Sequence, residues 1–284
     1  MHISVLLKEV LEYLSPQQGE TIIDGTFGAG GYSRAILEAG ANVIAFDRDP
    51  SVTLIAAKLT EEYPSRFTFH NDKFSNIAKI ITEPADGLVL DLGVSSMQLD
   101  EAERGFSFRA DAPLLMEMGG NDRSAADILN MAKEAELSQI LKDYGEVRGA
   151  RAIARKIVAA RPLQTTFDLA ALVPKQELAK VFQAVRIAVN DELTELRKAL
   201  EGAAGILKPG GRMVVVSFHS LEDRMVKDFL RPRATTTNRY APPAPVQAIN
   251  LFQVLTKNAI IPTAEETRRN PRASSARLRA GVRI

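Results

Sequence analysis

The chain is predicted to be an α/β protein on a mostly parallel sheet, and three features of the sequence carry that reading. Short β-branched apolar runs alternate with stretches of helical composition. The first run leads straight into a glycine turn. The first run contains Asp24, the second stops at Asp47 and the fourth ends in Asp91-Leu92-Gly93. Alternation at this spacing is the pattern of βαβ units.

Taken in order, residues 21–27 form the first strand and run into Gly28-Ala29-Gly30-Gly31, after which Tyr32 to Ala39 is helical. Val43–Phe46 is the second strand, stopping at Asp47-Arg48-Asp49-Pro50, with a helix from about Val52 to Glu62. A third short strand is placed at Phe67–His70 and a buried fourth at Asp86–Gly93. The alternation then breaks. Residues 100–123 are a glycine- and charge-rich loop, and 124–202 hold several amphipathic helices without a convincing strand. Ser124 stands three residues before Asp127, and Thr165 three before Asp168, both at capping-box spacing. Leu178, Val181, Phe182, Val185 and Val189 mark a long helix, and leucines at 193, 196, 200 and 207 continue the spacing toward a turn at Lys208-Pro209-Gly210-Gly211. Arg212–Phe218 is the clearest buried strand. A proline- and threonine-rich surface loop is expected over 231–247. Leu251–Leu255 and Ala276–Val282 follow as an antiparallel pair closing the sheet.

With 284 residues, 45% apolar and 25% charged, the chain is long enough for one large α/β domain or two smaller ones. It has no cysteine, so thiolate metal sites, disulfides and cysteine nucleophiles are excluded, and no metal site is read from its three histidines. No apolar run approaches the roughly 18 residues of a membrane span, so a soluble, cytoplasmic protein is expected. The formal charge of +1 conceals an asymmetry. From residue 205 onward there are 14 Lys and Arg against 5 Asp and Glu, a balance of +9, which leaves −8 for the first 204. The last 17 residues hold six arginines and no acid, the composition expected of a phosphate-contacting face or of a solvated tail.

In an open parallel sheet a ligand sits beyond the carboxyl ends of the strands, where the acids and glycines of this sequence gather. Gly28 and Gly30 allow close backbone approach, and the helix that follows offers unpaired N–H groups. A dinucleotide site wants a third glycine at position 33, which is serine here, and Asp24 would repel a pyrophosphate. The same carboxylate suits a cationic amino group, and Asp47 suits the two hydroxyls of a ribose. S-adenosylmethionine is therefore favoured over a nicotinamide cofactor, with Asp24 as a simple turn cap the remaining alternative.

These residues belong to longer blocks: Asp24-Gly25-Thr26-Phe27-Gly28-Ala29-Gly30-Gly31, Asp47-Arg48-Asp49-Pro50, Asp91 to Asp100, Glu103-Arg104-Gly105-Phe106-Ser107-Phe108, Phe182 to Ile187, and Ser217 to Arg224. Together they resemble the signature blocks of the bacterial small-subunit rRNA cytosine-N4 methyltransferases, over nearly the whole chain from His2 to Asn270-Pro271-Arg272. The resemblance implies a Rossmann-like class I methyltransferase sheet from 1–100 and 178–284, interrupted by a helical substrate-recognition insertion at 101–177. It implies S-adenosylmethionine as donor, 16S rRNA in the small ribosomal subunit as partner, and transfer to the exocyclic amine of a decoding-centre cytosine; oligomeric state stays open between monomer and homodimer. Carried over by position, the cofactor contacts fall on Gly30, Gly31, Tyr32, Asp47, Phe74, Asp91 and Gln98, beside Asp24 and Gly28 from the turn.

The chemistry asks for an acceptor that localises the amine lone pair. Asp91 is the candidate, with cofactor contact as its milder role. His219, just past the strongest strand, is a candidate base or a backbone-bonding residue. Phe106 and Phe108, flanked by Arg104 and Arg109, are candidates to clamp an extruded base, or else simple packing. Methylation at pyrimidine C5 normally needs a thiolate adduct and is closed to this chain. The sequence departs from the family at Tyr32, usually histidine, and at Pro113-Leu114-Leu115-Met116-Glu117-Met118, where Leu115 and Glu117 replace an acid and a base. It departs again at Lys175–Lys180, where many members have a His-Pro-Ala-Thr-Arg-Thr block. If the lost charge pair organises the substrate, the alternative is an RNA-binding assembly factor with impaired turnover.

Overall fold

The computed structural model describes residues 4–231 and 251–284, so all but residue 231 of the expected loop at 231–247 falls outside the described residues. The chain folds as two compact units, one of Met1–Gly93 with Glu195–Ile284, the other of Val94–Thr194.

The first unit opens with α1 (Leu7–Leu14), then β1 (Thr21–Asp24), α2 (Gly31–Glu38), β2 (Asn42–Phe46), α3 (Thr53–Glu62), β3 (Phe67–His70), α4 (Ile77–Ile80) and β4 (Ala85–Asp91). In the second, α5 (Ser96–Asp100), α6 (Ala125–Met131), α7 (Glu134–Gly145), α8 (Ala150–Ala159), α9 (Thr166–Leu172) and α10 (Leu178–Asn190) follow one another without a strand. Helix α11 (Glu192–Ile206) leads to β5 (Leu207–Ser217) and α12 (Ser220–Leu230), and β6 (Phe252–Val254), α13 (Ala264–Arg269) and β7 (Arg277–Arg283) finish the chain.

The seven strands lie in the order β3-β2-β1-β4-β5-β7-β6. The first five are parallel, and β7 pairs antiparallel with both β5 and β6. This is the Rossmann-like class I methyltransferase sheet that the sequence implies. The order reverses between β1 and β4, which opens a crevice beyond their carboxyl ends, at Asp24 and Asp91. The sheet buries Ile23, Leu88, Leu90, Met213 and Val215 against Leu196, Leu200 and Ala203 of α11.

Several boundaries differ from the sequence reading: the first strand ends at Asp24 rather than residue 27, and the fourth at Asp91 rather than Gly93. The turn expected at Lys208–Gly211 is taken into β5: Leu207 pairs with Ala85 and Arg212 with Gly87, so the intervening residues bulge out of the ladder. The helical unit also exceeds the expected 101–177. Helix α10, assigned from sequence to the sheet domain, buries Val181, Phe182, Val185 and Val189 in the core built by Leu129, Leu137, Leu141, Ile153 and Ile157. Helical periodicity shows that α10 has an apolar face; which core takes that face depends on packing. The capping boxes at Ser124–Asp127 and Thr165–Asp168 both form.

Candidate active site

The glycine turn after β1 is held by three side chains. Asp24, wholly buried, accepts from Thr26 N–H at 3.2 Å and from the Ser33 hydroxyl at 2.7 Å, so the serine found where a dinucleotide motif would place glycine fastens α2 to the end of β1. Asp47 accepts from Gly28 N–H at 2.7 Å and from Asp49 N–H at 2.9 Å. Thr26 Oγ1 accepts from Asp91 N–H at 2.6 Å, tying the turn to β4. Gly28 and Gly30 have φ of 53° and 77°, a region that favours glycine. A methyl group at Gly28 would meet nothing closer than Thr26 O at 3.9 Å, so that side of the turn is open to a ligand.

The electrostatics are one-sided. Burial raises Asp24 to about 6, with Asp47 adding repulsion that its own hydrogen bonds only partly offset. Burial raises Asp47 as well. Asp91 is pushed well above the ordinary carboxylate range, first by burial, then by Asp24 and Glu222. Its Oδ1 is shut away from solvent with no hydrogen-bond partner. Buried polar atoms are normally paired, so an orphan oxygen beside two further acids marks a place that a cationic or hydrogen-bond-donating ligand would complete. A sulfonium compound with an amino group has that chemistry, and the open face of Gly28 gives it room.

The remaining expected residues are placed less simply. Phe74 opens a short turn of 3-10 helix and packs 3.3 Å from where a Cβ on Gly25 would stand, so it is half-buried against the glycine turn. Tyr32 is buried, and its hydroxyl donates to Val5 O. Gln98 belongs to the helical unit, where its side-chain oxygen accepts from Ser95 N–H at 2.9 Å in a capping box that sequence reading missed, although the Ser-x-x-Gln spacing signals it.

His219 is the N-cap of α12. Its Nδ1 lies 3.5 Å from Glu222 N–H, while Glu222 accepts from the N–H groups of Phe218 (2.8 Å) and His219 (3.3 Å). Nε2 stands 3.1 Å from Glu222 Oε1, within ion-pair distance, yet the angle makes no hydrogen bond. With Nδ1 used as an acceptor, the imidazole proton sits on Nε2, an assignment that rests on this hydrogen-bond pattern. The geometry is that of the backbone-bonding alternative, a tautomer that has no free acceptor nitrogen for a substrate proton.

Of the clamp candidates, three are engaged within the helical unit. Phe106 is buried in the helical core, and Phe108 meets Phe182 edge-on at 5.3 Å between ring centres. Arg104 lies over Phe106 and donates to Glu117 O at 2.8 Å. These three hold the loop together, because rings this large bury more favourably in a core than beside solvent. Arg109 is exposed, with only its backbone N–H engaged, by Ser107 Oγ.

The basic C-terminal run is also largely consumed within the fold. Arg279 donates to both oxygens of Asp223, at 2.7 and 3.1 Å, and Arg277 approaches the same carboxylate at 3.4 Å. Arg283 donates to Ala204 O and Ile284 O, and Arg269 pairs with Glu265. A charge count sees six free cations where the fold leaves few, so the footprint read from composition overstates the phosphate-binding surface here.

Among the described residues no helix is long and apolar enough to cross a membrane. The profile of the MraW methylase family matches residues 1–284. The ribosomal RNA small subunit methyltransferase H of Caulobacter vibrioides is 50% identical over 299 residues, covering 99% of this chain and 95% of that one. The protein of the same name from Brucella anthropi is 48% identical over 303 residues, covering 99% and 87%. Among solved structures, an rRNA methylase from Streptococcus thermophilus superposes with a TM-score of 0.49 at 10% identity, covering 100% of this chain and 99% of that one. A turn open at Gly28, an unsatisfied acid at the end of β4 and a profile match from end to end agree: the chain belongs to the MraW methylase family.

Proposed function

We propose that this protein methylates the exocyclic N4 amine of a cytosine in the decoding centre of 16S rRNA, with S-adenosylmethionine as the methyl donor. The buried, unpaired Oδ1 of Asp91 at the sheet's reversal point carries the reading. When bound, the donor supplies an electrophilic methyl group on a sulfonium. The open side of Gly28 leaves room for it, we assign Asp47 to the ribose hydroxyls, and the charge of Asp24 and Asp91 favours its cationic part.

Asp91 has the second task. A cytosine N4 lone pair is delocalised into the ring, and an acceptor for its N–H draws the pair back onto nitrogen. A carboxylate whose proton affinity has been raised by burial is better suited than an ordinary one to take the proton that leaves. His219, held as an N-cap, is assigned no proton transfer. An RNA partner fits the helical unit, where residues 147–167 contain no acid, Arg148 stands exposed just before α8, and Arg151, Arg155 and Lys156 stand exposed along it. The names of the relatives point to the same partner.

The departure at Leu115 and Glu117 leaves the loop's backbone intact. Met116 N–H donates to Arg104 O, and Asn190 bonds both Met116 O and Met118 N–H, none of which uses the replaced side chains. The test is transfer of labelled methyl to small subunits lacking the mark, followed by mass spectrometry of the rRNA nucleosides. N4-methylcytidine is expected, and Asp91→Ala should abolish it. Label on another atom, or full transfer by that variant, would overturn the assignment.

A further inference from the structure

Residues Ser4–Leu6 pack against the glycine turn at Gly31. A Cβ on Gly31 would lie 1.9 Å from Ser4 Oγ, so the serine occupies the space that any side chain at position 31 would need. Val5 and Leu6 are buried, and two bonds from distant parts of the chain hold them. The Tyr32 hydroxyl, one residue past Gly31, donates to Val5 O. From the other end of the sequence, Glu266 of α13 accepts from Leu6 N–H at 2.6 Å. Leu6 is the N-cap of α1 at φ 51°, with no capping side chain of its own, so Glu266 caps α1 across 260 positions of sequence. Burial holds the Tyr32 phenol well above its ordinary range, so it remains a donor.

Resting on the cofactor reading above, we propose that Glu266 and Tyr32 are positioning residues for the methyl donor: they fasten Ser4–Leu6 against Gly31 and so fix the glycine turn in the shape that receives it. The turn's glycines have the widest conformational freedom of any residue, and a free turn would have to be ordered each time the donor binds. A strap anchored at both edges meets that cost during folding, which is preorganisation. The arrangement also explains Tyr32 itself. The family's histidine is shorter, and the phenol reaches the strap's carbonyl while its ring stays in the core.

The test is calorimetric titration of the full-length protein with S-adenosylmethionine and its demethylated product, supported by hydrogen exchange of the turn amides. Glu266→Ala should weaken binding about fivefold, the scale of a lost N-cap. It should raise the KM for the donor while kcat and the KM for rRNA stay within about twofold, and it should speed exchange at Gly30 and Gly31. Glu266→Gln, whose amide oxygen still accepts, should restore the wild-type affinity. Tyr32→Phe should weaken binding in the same way. Wild-type affinity and exchange in a folded Glu266→Ala and Tyr32→Phe would overturn the proposal, as would a loss confined to thermal stability. If the wild-type protein itself binds no S-adenosylmethionine, the cofactor reading fails instead.

Discussion

Where α12 packs on β7 in the first unit, Asp223 is almost buried and faces Arg279 across two hydrogen bonds, with Arg277 beyond. At the carboxyl ends of β1 and β4, Asp24 is wholly buried and Asp91 partly so, and no cation stands against either among the described residues. The arginines lower the Asp223 carboxyl although burial opposes them, whereas burial raises Asp24 and Asp91 unopposed by any cation. A buried charge is tolerated when the fold supplies its partner, and an unsatisfied one costs stability. The acid with an internal counter-ion reads as structural, and those that have none read as awaiting a cationic ligand. Functional sites often carry such a cost.

Substitution should separate the two kinds most sharply at Asp91. Asp91→Asn is expected to cut methyl transfer by about 10²–10⁴, the range of a lost acid–base group, while the melting temperature stays level or rises. A fall in stability with transfer intact would reverse the assignment of roles. Asp223→Asn should do the opposite, costing about 3 kcal/mol because Arg279, only 11% exposed, loses its counter-charge, with donor affinity unchanged. Denaturant unfolding alongside calorimetry reads both.

The pH responses should also fall in different windows, the Asp24 response near pH 6 and the Asp223 response below about 3.8. Asp24 is raised from 3.8 to about 6, so its proton must leave before it can attract a cation, and donor affinity should climb as pH rises through about 6, by up to tenfold per pH unit. Affinity that is flat from pH 5 to 7.5 would remove Asp24 from the cofactor site. Asp223 is lowered, so the stability it contributes is present above its ordinary value near 3.8 and is lost as pH falls through its folded value. The smallest effect is expected at Arg277, 53% exposed and 3.4 Å from Asp223, where Arg277→Gln should cost less than about 1 kcal/mol. A larger loss there would mean that the pair acts as one unit with Arg279.

Much of the site is legible in the amino-acid sequence. Asp24, Gly28, Gly30, Asp47 and Asp91 are local signals, each an acid or glycine at a strand end, and the sheet does gather them. What the sequence leaves open is which distant neighbours engage these side chains. Phe182, more than 70 positions away, meets the ring of Phe108. Val5 accepts the Tyr32 hydroxyl, and Asp223 meets two of the C-terminal arginines. Composition cannot report such contacts, because a count of charges or rings contains no pairing.

The sequence by itself determined the alternation of strands and helices, the glycine turn, the acids at strand ends and the exclusion of thiolate chemistry, since each depends on residue type and short spacing. The tertiary structure alone decided that α10 packs with the helical unit, that Glu266 caps α1 and that Asp91 Oδ1 is left without a hydrogen-bond partner among the described residues. Those outcomes depend on which surfaces meet once the chain has closed, and short-range spacing does not encode pairings between residues tens to hundreds of positions apart.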